Sequence, residues 1–452
     1  MEILKYFSDS LSHKRTLVVK KNLIQSAILK IVSLLSEFYL ISLVLTYIGS
    51  LKFGIILIMF SFLNWFAILD FGFGNSLRNK IAENLAKKKN LLIRKLISTG
   101  YVMFIIISII FLIFFLSINP FLSWTRILST KEILANEVYF IPLIFFIGFA
   151  ISFVIKMLNP ILLAFQKSAL RDMPEVFGKI FVLFLILVLI KKNIDPSITV
   201  VSLIYVFVPI IVTLLFSIYV FFYKLKIYKP SIALVDFTIP KKIFKNSLNF
   251  FILQISMIIM MSTDHIIISQ LYGPEKVTTY HIAGKYYSLL LVFFIMITTP
   301  MWSSYTDAFL KKDFTWIKKV IKSQEIIFCL MIFICIIMFL VSDFIFSIWV
   351  GDLIFISTLL SVSWITFVII RSYNMIYSNF LNGINLLKVQ VIVAIFISFL
   401  NVPLSIFLAK YVGFGPPGVI LATAFSFLID TCFKKIQYNK IISNKAKMIW
   451  KK

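Results

Sequence analysis

The sequence predicts an all-α polytopic membrane protein with about 12 transmembrane helices, and three observations lead there. Hydrophobic residues fill 60% of the 452 positions and charged residues only 14%, where average soluble domains run about 25% charged. Twelve apolar stretches are long enough to cross about 30 Å of hydrocarbon as helices. Lysine and arginine gather in alternate loops between them. Inside a bilayer the backbone must satisfy itself, which leaves helices or a closed barrel. Runs such as 101–118 are continuously apolar and do not alternate, so the spans are helices.

The spans fall at roughly 22–48, 52–72, 96–118, 138–165, 174–190, 198–222, 246–271, 278–300, 323–341, 353–380, 388–410 and 417–433. Counting the tails and every second loop, one side collects 33 lysines and arginines, including all of those from Lys434 onward, and the other side seven. That bias puts both termini in the cytoplasm. The N-terminal 21 residues lack the apolar core of a cleavable signal, so the first span is expected to act as a signal anchor.

Five spans carry a cation, at Lys30, Lys156, Lys179, Lys285 and Arg371. A cation near the bilayer centre costs roughly 2.5–3.5 kcal/mol. Repeated along the chain, such residues imply an internal cavity that holds an anion. In span one, Lys30 and Glu37 share nearly one helical face but stand two turns apart, so each is expected to meet another helix or water. Lys30 reads as an attractor of the anionic cargo, and Glu37 as a site for a coupling proton or Na⁺. In span four, Lys156 lies one turn from Asn159-Pro160, where the proline bends the helix and frees a carbonyl. Arg171, Glu175 and Lys179 follow at spacings of four, which suits an intrahelical ladder with Glu175 structural and Lys179 facing inward.

Span seven holds Asp264-His265, whose side chains diverge by about 100°. Asp264 is expected either to partner Lys285 or Arg371 or to titrate as the second ion-coupling acid. Span eight places His281 one turn from Lys285. Span ten carries a polar stripe of Arg371, Asn374 and Ser378, and arginine suits a diphosphate because its planar fork donates two parallel hydrogen bonds. Asp70 and Asp307 close the second span of each half and read as caps of the basic loops.

Residues 1–222 form one set of six spans and 246–452 another, with a basic linker at 223–245. Lys21-Asn22 aligns with Lys245-Asn246 at an offset of 224, which also brings Tyr47-Ile48-Gly49 near Leu271-Tyr272-Gly273. Six spans per half make the repeat parallel, with two six-helix lobes facing each other across a central cleft.

The segments Tyr47-Ile-Gly-Ser-Leu-Lys-Phe-Gly54 and Leu69-Asp-Phe-Gly-Phe-Gly-Asn-Ser-Leu-Arg-Asn-Lys80 resemble the first hairpin of the Wzx-type polysaccharide flippases. These O-antigen or repeat-unit translocases belong to a superfamily shared with multidrug exporters and the lipid II flippase. Tyr272-Gly-Pro274 followed by Tyr280 resembles the corresponding turn of the second half. The resemblance implies a V-shaped exporter in the bacterial cytoplasmic (inner) membrane. Its cargo would be an undecaprenyl-diphosphate-linked oligosaccharide, moved to the outer leaflet for O-antigen, capsule or another surface polymer. Lys30, Lys156, Lys179, Lys285, Arg371 and Asn374 are then the expected cargo contacts. Glu37 and Asp264 are the expected coupling acids for an H⁺ or Na⁺ gradient. Anionic lipids, and a polysaccharide polymerase with its chain-length machinery, are the partners this implies.

Other classes fit less well. The net charge of +26 sits mostly in short loops, where topology and lipid headgroups account for it without nucleic acid. There is no Gly-Lys-Ser/Thr phosphate loop for a nucleotide. Three scattered histidines and three cysteines show no metal spacing, so no cofactor is expected. A polymerase or glycosyltransferase would want a large external loop. A multidrug or toxin antiporter for organic cations would want a cavity dominated by acids. The expected reading is therefore a transporter and not an enzyme.

Overall fold

The computed structural model describes residues 14–66, 72–130, 139–165, 167–238, 248–298, 301, 305, 308–309, 311–384 and 386–451. No strand occurs among them. Expected spans one and two lie in one interrupted helix, α1 (Lys14–Phe66), broken at Gly49 with φ 80° and ψ 167°. No atom lies within 4 Å of where a Cβ would sit at Gly49. Backbone conformation, not crowding, therefore selects glycine there. After α2 (Phe73–Ala86) and α3 (Asn90–Ile118), span four divides into α4 (Ile141–Ile155) and α5 (Leu158–Ala164). Spans five and six are α6 (Ser168–Lys191) and α7 (Ile198–Tyr219). The second half runs α8 (Leu248–Tyr272), α9 (Pro274–Thr298), α10 (Phe314–Leu340), α11 (Ser342–Val350), α12 (Thr358–Gly383), α13 (Lys388–Ile406) and α14 (Pro416–Ile442).

Among the described residues, nine helical segments are long and apolar enough to cross a membrane. The first of these is the one that Gly49 splits. Helices α9 and α14, 25 and 27 residues long, coincide with expected spans eight and twelve. Each of the twelve expected spans thus has a helical counterpart.

The chain forms two compact units. The first comprises Met1–Ile48, Leu69–Trp124 and Ile133–Leu248, and the second Gly49–Ile68, Thr125–Glu132 and Asn249–Lys452. The second half of α1 is therefore grouped with helices that follow it by some 200 residues, not with its sequence neighbours.

Within the first unit, α3 packs on α4, α4 on α7, α6 on α7, and α2 on α5. Within the second, α10 packs on α12, α12 on α14, α13 on α14, and α9 on α12. Numbered as spans, the scheme repeats as three on four, four on six and five on six; the remaining contact on span four comes from α2, just beyond span two, in the first half and from span eight in the second. Local details repeat as well. Gly273 joins α8 to α9 at φ 87°, matching Gly49 at the offset of 224. The Tyr47 hydroxyl donates to the Ile194 carbonyl at 2.9 Å, between spans five and six. The Tyr272 hydroxyl donates to the Ala409 carbonyl at 2.6 Å, near the end of span eleven. In both halves a tyrosine ties the end of the first span to the fifth-and-sixth hairpin.

The first-hairpin motif meets its second-half counterpart inside the second unit. Thr278 donates to the Ser50 carbonyl at 2.7 Å. A Cβ on Gly54 would lie 2.0 Å from the Pro274 carbonyl oxygen. That oxygen is backbone and cannot swing away. Gly54→Ala is expected to destabilise the fold by about 1–3 kcal/mol through overpacking, read as a lower unfolding midpoint in detergent. An unchanged midpoint would show that the hairpin can part at no cost.

The basic stretches are fastened down. Exposed Glu83 on α2 accepts from Lys87 at 2.6 Å and Lys80 at 3.0 Å. Those bonds, Lys87's first, hold its carboxyl down at about 2 against an ordinary 4.5. Their small stabilisation is complete above the ordinary value and is lost as pH falls toward 2. The described part of the expected linker, residues 223–238, lies along α3. Arg94 donates to the Lys229 carbonyl at 2.8 Å, and the Ser231 and Asp236 amides donate to Ser98 and Thr99, each at 2.9 Å. Asp70 and Asp307 lie outside the described residues.

Candidate functional site

A buried polar cluster of the second unit lies where α12 packs on α14. The expected stripe of Arg371, Asn374 and Ser378 does occupy one face of α12, and α14 answers it with Asp430, Thr431 and Lys434. Asn374 is fully buried at its centre. Its amide nitrogen donates to Asp430 Oδ2 at 2.9 Å and to Thr431 Oγ1 at 3.0 Å. Its oxygen accepts from Arg371 Nη1 at 2.9 Å, Ser378 Oγ at 3.0 Å and Lys434 Nζ at 3.4 Å. Lys434 also donates to Asp430 at 2.6 Å and to Ser378 at 2.8 Å.

The Arg371 guanidinium stacks over the Phe427 ring at 4.5 Å. Its remaining N–H groups have no hydrogen-bonding partner among the described residues. Among the described residues, half-buried Arg371 and buried Lys434 thus face one carboxylate, a deficit of one negative charge. A desolvated excess cation is unfavourable unless an anion joins it.

Asp264 and His265 diverge as their adjacency on α8 requires. Asp264, only 2% exposed, accepts from the Tyr280 hydroxyl at 2.6 Å through Oδ2. Its Oδ1 has no hydrogen-bonding partner among the described residues. It forms no ion pair with Lys285 or Arg371 there. His265 Nδ1 instead pairs with Ser61 Oγ at 2.7 Å and its ring meets His281 at 5.6 Å. Lys285 is half-buried and within electrostatic reach of His265.

In the first unit Lys179 donates to Ser33 Oγ at 2.7 Å, Glu37 Oε2 at 2.9 Å and Glu175 Oε1 at 3.1 Å. An expected cargo cation and an expected coupling acid are therefore partners of each other. Glu175 belongs to this group, but the ladder stops there, because Arg171 turns to its neighbour Asp172. Lys156 is exposed, within electrostatic reach of Glu175, at the turn between α4 and α5. The carbonyl that Pro160 leaves without its usual partner is that of Lys156, and the Asn159 amide takes it at 2.9 Å. That bond absorbs the freed acceptor and fixes the break. Lys30 is half-buried, with no hydrogen-bonding or ionic partner among the described residues.

Asp430 and Lys434 stand outside the residues that the sequence pattern points to. Hydropathy ends span twelve at 433 and leaves Lys434 with the tail cations, yet α14 continues to Ile442 and buries it at 7% exposure. The readable signal was the i,i+4 spacing of an acid and a base across that boundary.

A family described as polysaccharide biosynthesis protein matches residues 19–306. A protein of Yersinia pseudotuberculosis described as an O-antigen export protein is 23% identical over 370 residues, covering 79% of this chain and 82% of its own. One of Salmonella typhimurium described as an O-antigen transporter is 24% identical over 369 residues, covering 79% and 81%. An inward-facing multidrug resistance MATE family transporter of the MOP superfamily superposes with TM-score 0.75 at 17% identity, covering 91% of this chain and 95% of its own. The lipid II flippase MurJ, in an inward closed conformation, gives 0.67 at 17% identity, covering 92% and 87%. These likenesses establish the exporter fold.

Proposed function

Because the chain belongs to the polysaccharide biosynthesis protein family, we propose that it is a flippase for a lipid-linked oligosaccharide. Its cargo is an undecaprenyl-diphosphate-linked repeat unit, moved from the inner to the outer leaflet for surface polysaccharide synthesis. The O-antigen relatives support the pathway. The observation that carries the cargo class is the cation excess between α12 and α14, where Arg371, with only one N–H committed to Asn374 among the described residues, stands beside Lys434 against a single Asp430. A diphosphate brings the missing negative charge and matches the fork. The bias of basic loops supports a bacterial inner-membrane protein with both termini in the cytoplasm.

Reconstitution tests this reading. Vesicles holding the protein and a polyprenyl-diphosphate oligosaccharide should expose the sugar to an outer-leaflet lectin faster than empty vesicles do. They should not accumulate cationic dyes. Dye transport without sugar exposure would instead identify a drug antiporter of the same fold.

The chain has no nucleotide loop, so cargo moves either downhill or with an ion gradient. The buried carboxyl of Asp264, bonded by the Tyr280 hydroxyl with the Thr423 hydroxyl beside it and facing no cation among the described residues, suits a reversible proton or Na⁺ site. Dissipating the gradient is expected to slow translocation tenfold or more in order of magnitude. Asp264→Asn should flip at a rate indifferent to the gradient. An Asp264→Asn variant with normal ion dependence would make the acid a structural partner of Tyr280 only.

A further inference from the structure

The first unit holds an oxygen cage already filled by the protein itself. Ser33 and Glu37 stand one turn apart on α1, and Glu175 and Lys179 one turn apart on α6. The Lys179 ammonium sits 2.7, 2.9 and 3.1 Å from Ser33 Oγ, Glu37 Oε2 and Glu175 Oε1. Ser33 donates its own proton to Glu175 at 3.3 Å, which leaves a lone pair turned to the ammonium. Two carboxylates and a hydroxyl converging on one point form a donor set for a hard monovalent cation. Ser33 is buried and Glu37 and Lys179 are each 23% exposed, while Glu175, at 65% exposed, leaves the cage open on its own side.

We propose that Ser33, Glu37 and Glu175 form a monovalent-cation site that the Lys179 ammonium occupies as a tethered ion. The unit then carries its own cation and does not draw Na⁺ or K⁺ from solution. This holds whatever the cargo is, and it takes Glu37 out of the set of ion carriers. Lys156, which faces Glu175, and Tyr205, which faces Glu37, are the other titratable neighbours. Neither is among the three oxygens that hold Lys179.

Deleting the tether should convert the cage into an ordinary ion site. Without the ammonium, two carboxylates face each other, and a solution cation restores the balance. The test is the unfolding midpoint of the purified full-length protein in NaCl, KCl or choline chloride at equal ionic strength. Wild type should give one midpoint in all three. Lys179→Ala should show a saturable rise of a few degrees in Na⁺ or K⁺ over choline, as ligand linkage requires. The rise should vanish in Lys179→Ala/Glu37→Gln.

Equal midpoints for a folded Lys179→Ala in all salts would overturn the proposal. So would a Na⁺-specific rise in wild type that Glu37→Gln removes. A Lys179→Ala protein that survives purification only in Na⁺ or K⁺ supports it. Aggregation of both Lys179→Ala and Lys179→Ser in every salt counts against it.

Discussion

Asp430→Ala is expected to destabilise the protein by about 3–5 kcal/mol, the cost of removing one member of a buried ion pair. Asp430 and Lys434 have side chains 7% and 9% exposed and meet at 2.6 Å. Asp430 is the carboxylate that Lys434 and Asn374 bond directly, and Arg371 stands one amide away. Its loss leaves two cations facing each other with no counter-charge. Asp430→Asn keeps a hydrogen-bonding oxygen but not the charge, so it should fall between alanine and wild type. Asp430→Ala/Lys434→Met should recover much of the loss, because an apolar replacement of a whole pair is often neutral. Unfolding midpoints in detergent measure all three. A double variant no better than Asp430→Ala would show that packing, not charge, makes this residue matter.

The second large effect concerns transport. Arg371→Ala is expected to abolish export, and Arg371→Lys to keep part of it. Truncating one partner of a desolvated charge contact costs about 2–5 kcal/mol, roughly a thirtyfold loss or more. Lysine restores the charge but not the fork, nor the planar stacking on Phe427. Sugar exposure in reconstituted vesicles, with the expressed protein quantified, is the readout. Arg371→Ala flipping at the wild-type rate would exclude this residue from cargo binding and shift the anion site elsewhere.

Much of the architecture was legible because bilayer physics constrains it so tightly. Apolar runs locate the spanning helices, though not α2 or α11, which lie between the expected spans, and the turn glycines at 49 and 273 mark the same break in both halves. The polar stripe on α12 followed from helical periodicity alone. What the sequence hid was partnership. Glu37 and Lys179 are 142 residues apart, and nothing local shows that α1 meets α6. Lys179 read as a cargo cation because its own helix offered only Glu175. Lys434 was hidden differently: a span boundary drawn from hydropathy ended at 433, so a buried cation passed for a surface one. Arg171 turned to Asp172 because an adjacent carboxylate competes with one a turn away, a choice that spacing rules do not rank.

The company kept by the second half of α1 also bears on how the protein is made. Ser61 waits for His265, 204 residues later, and Ser50 for Thr278, 228 residues later. At about 5–20 residues per second of synthesis, the nascent segment spends roughly ten to forty-five seconds in the membrane before these contacts exist. Throughout that interval the hollow at Gly54 faces lipid or the insertion machinery, and Ser61 lacks its histidine. A ribosome that pauses within the first half therefore holds an intermediate with an unfinished surface. The surface is complete only once the second half has been made.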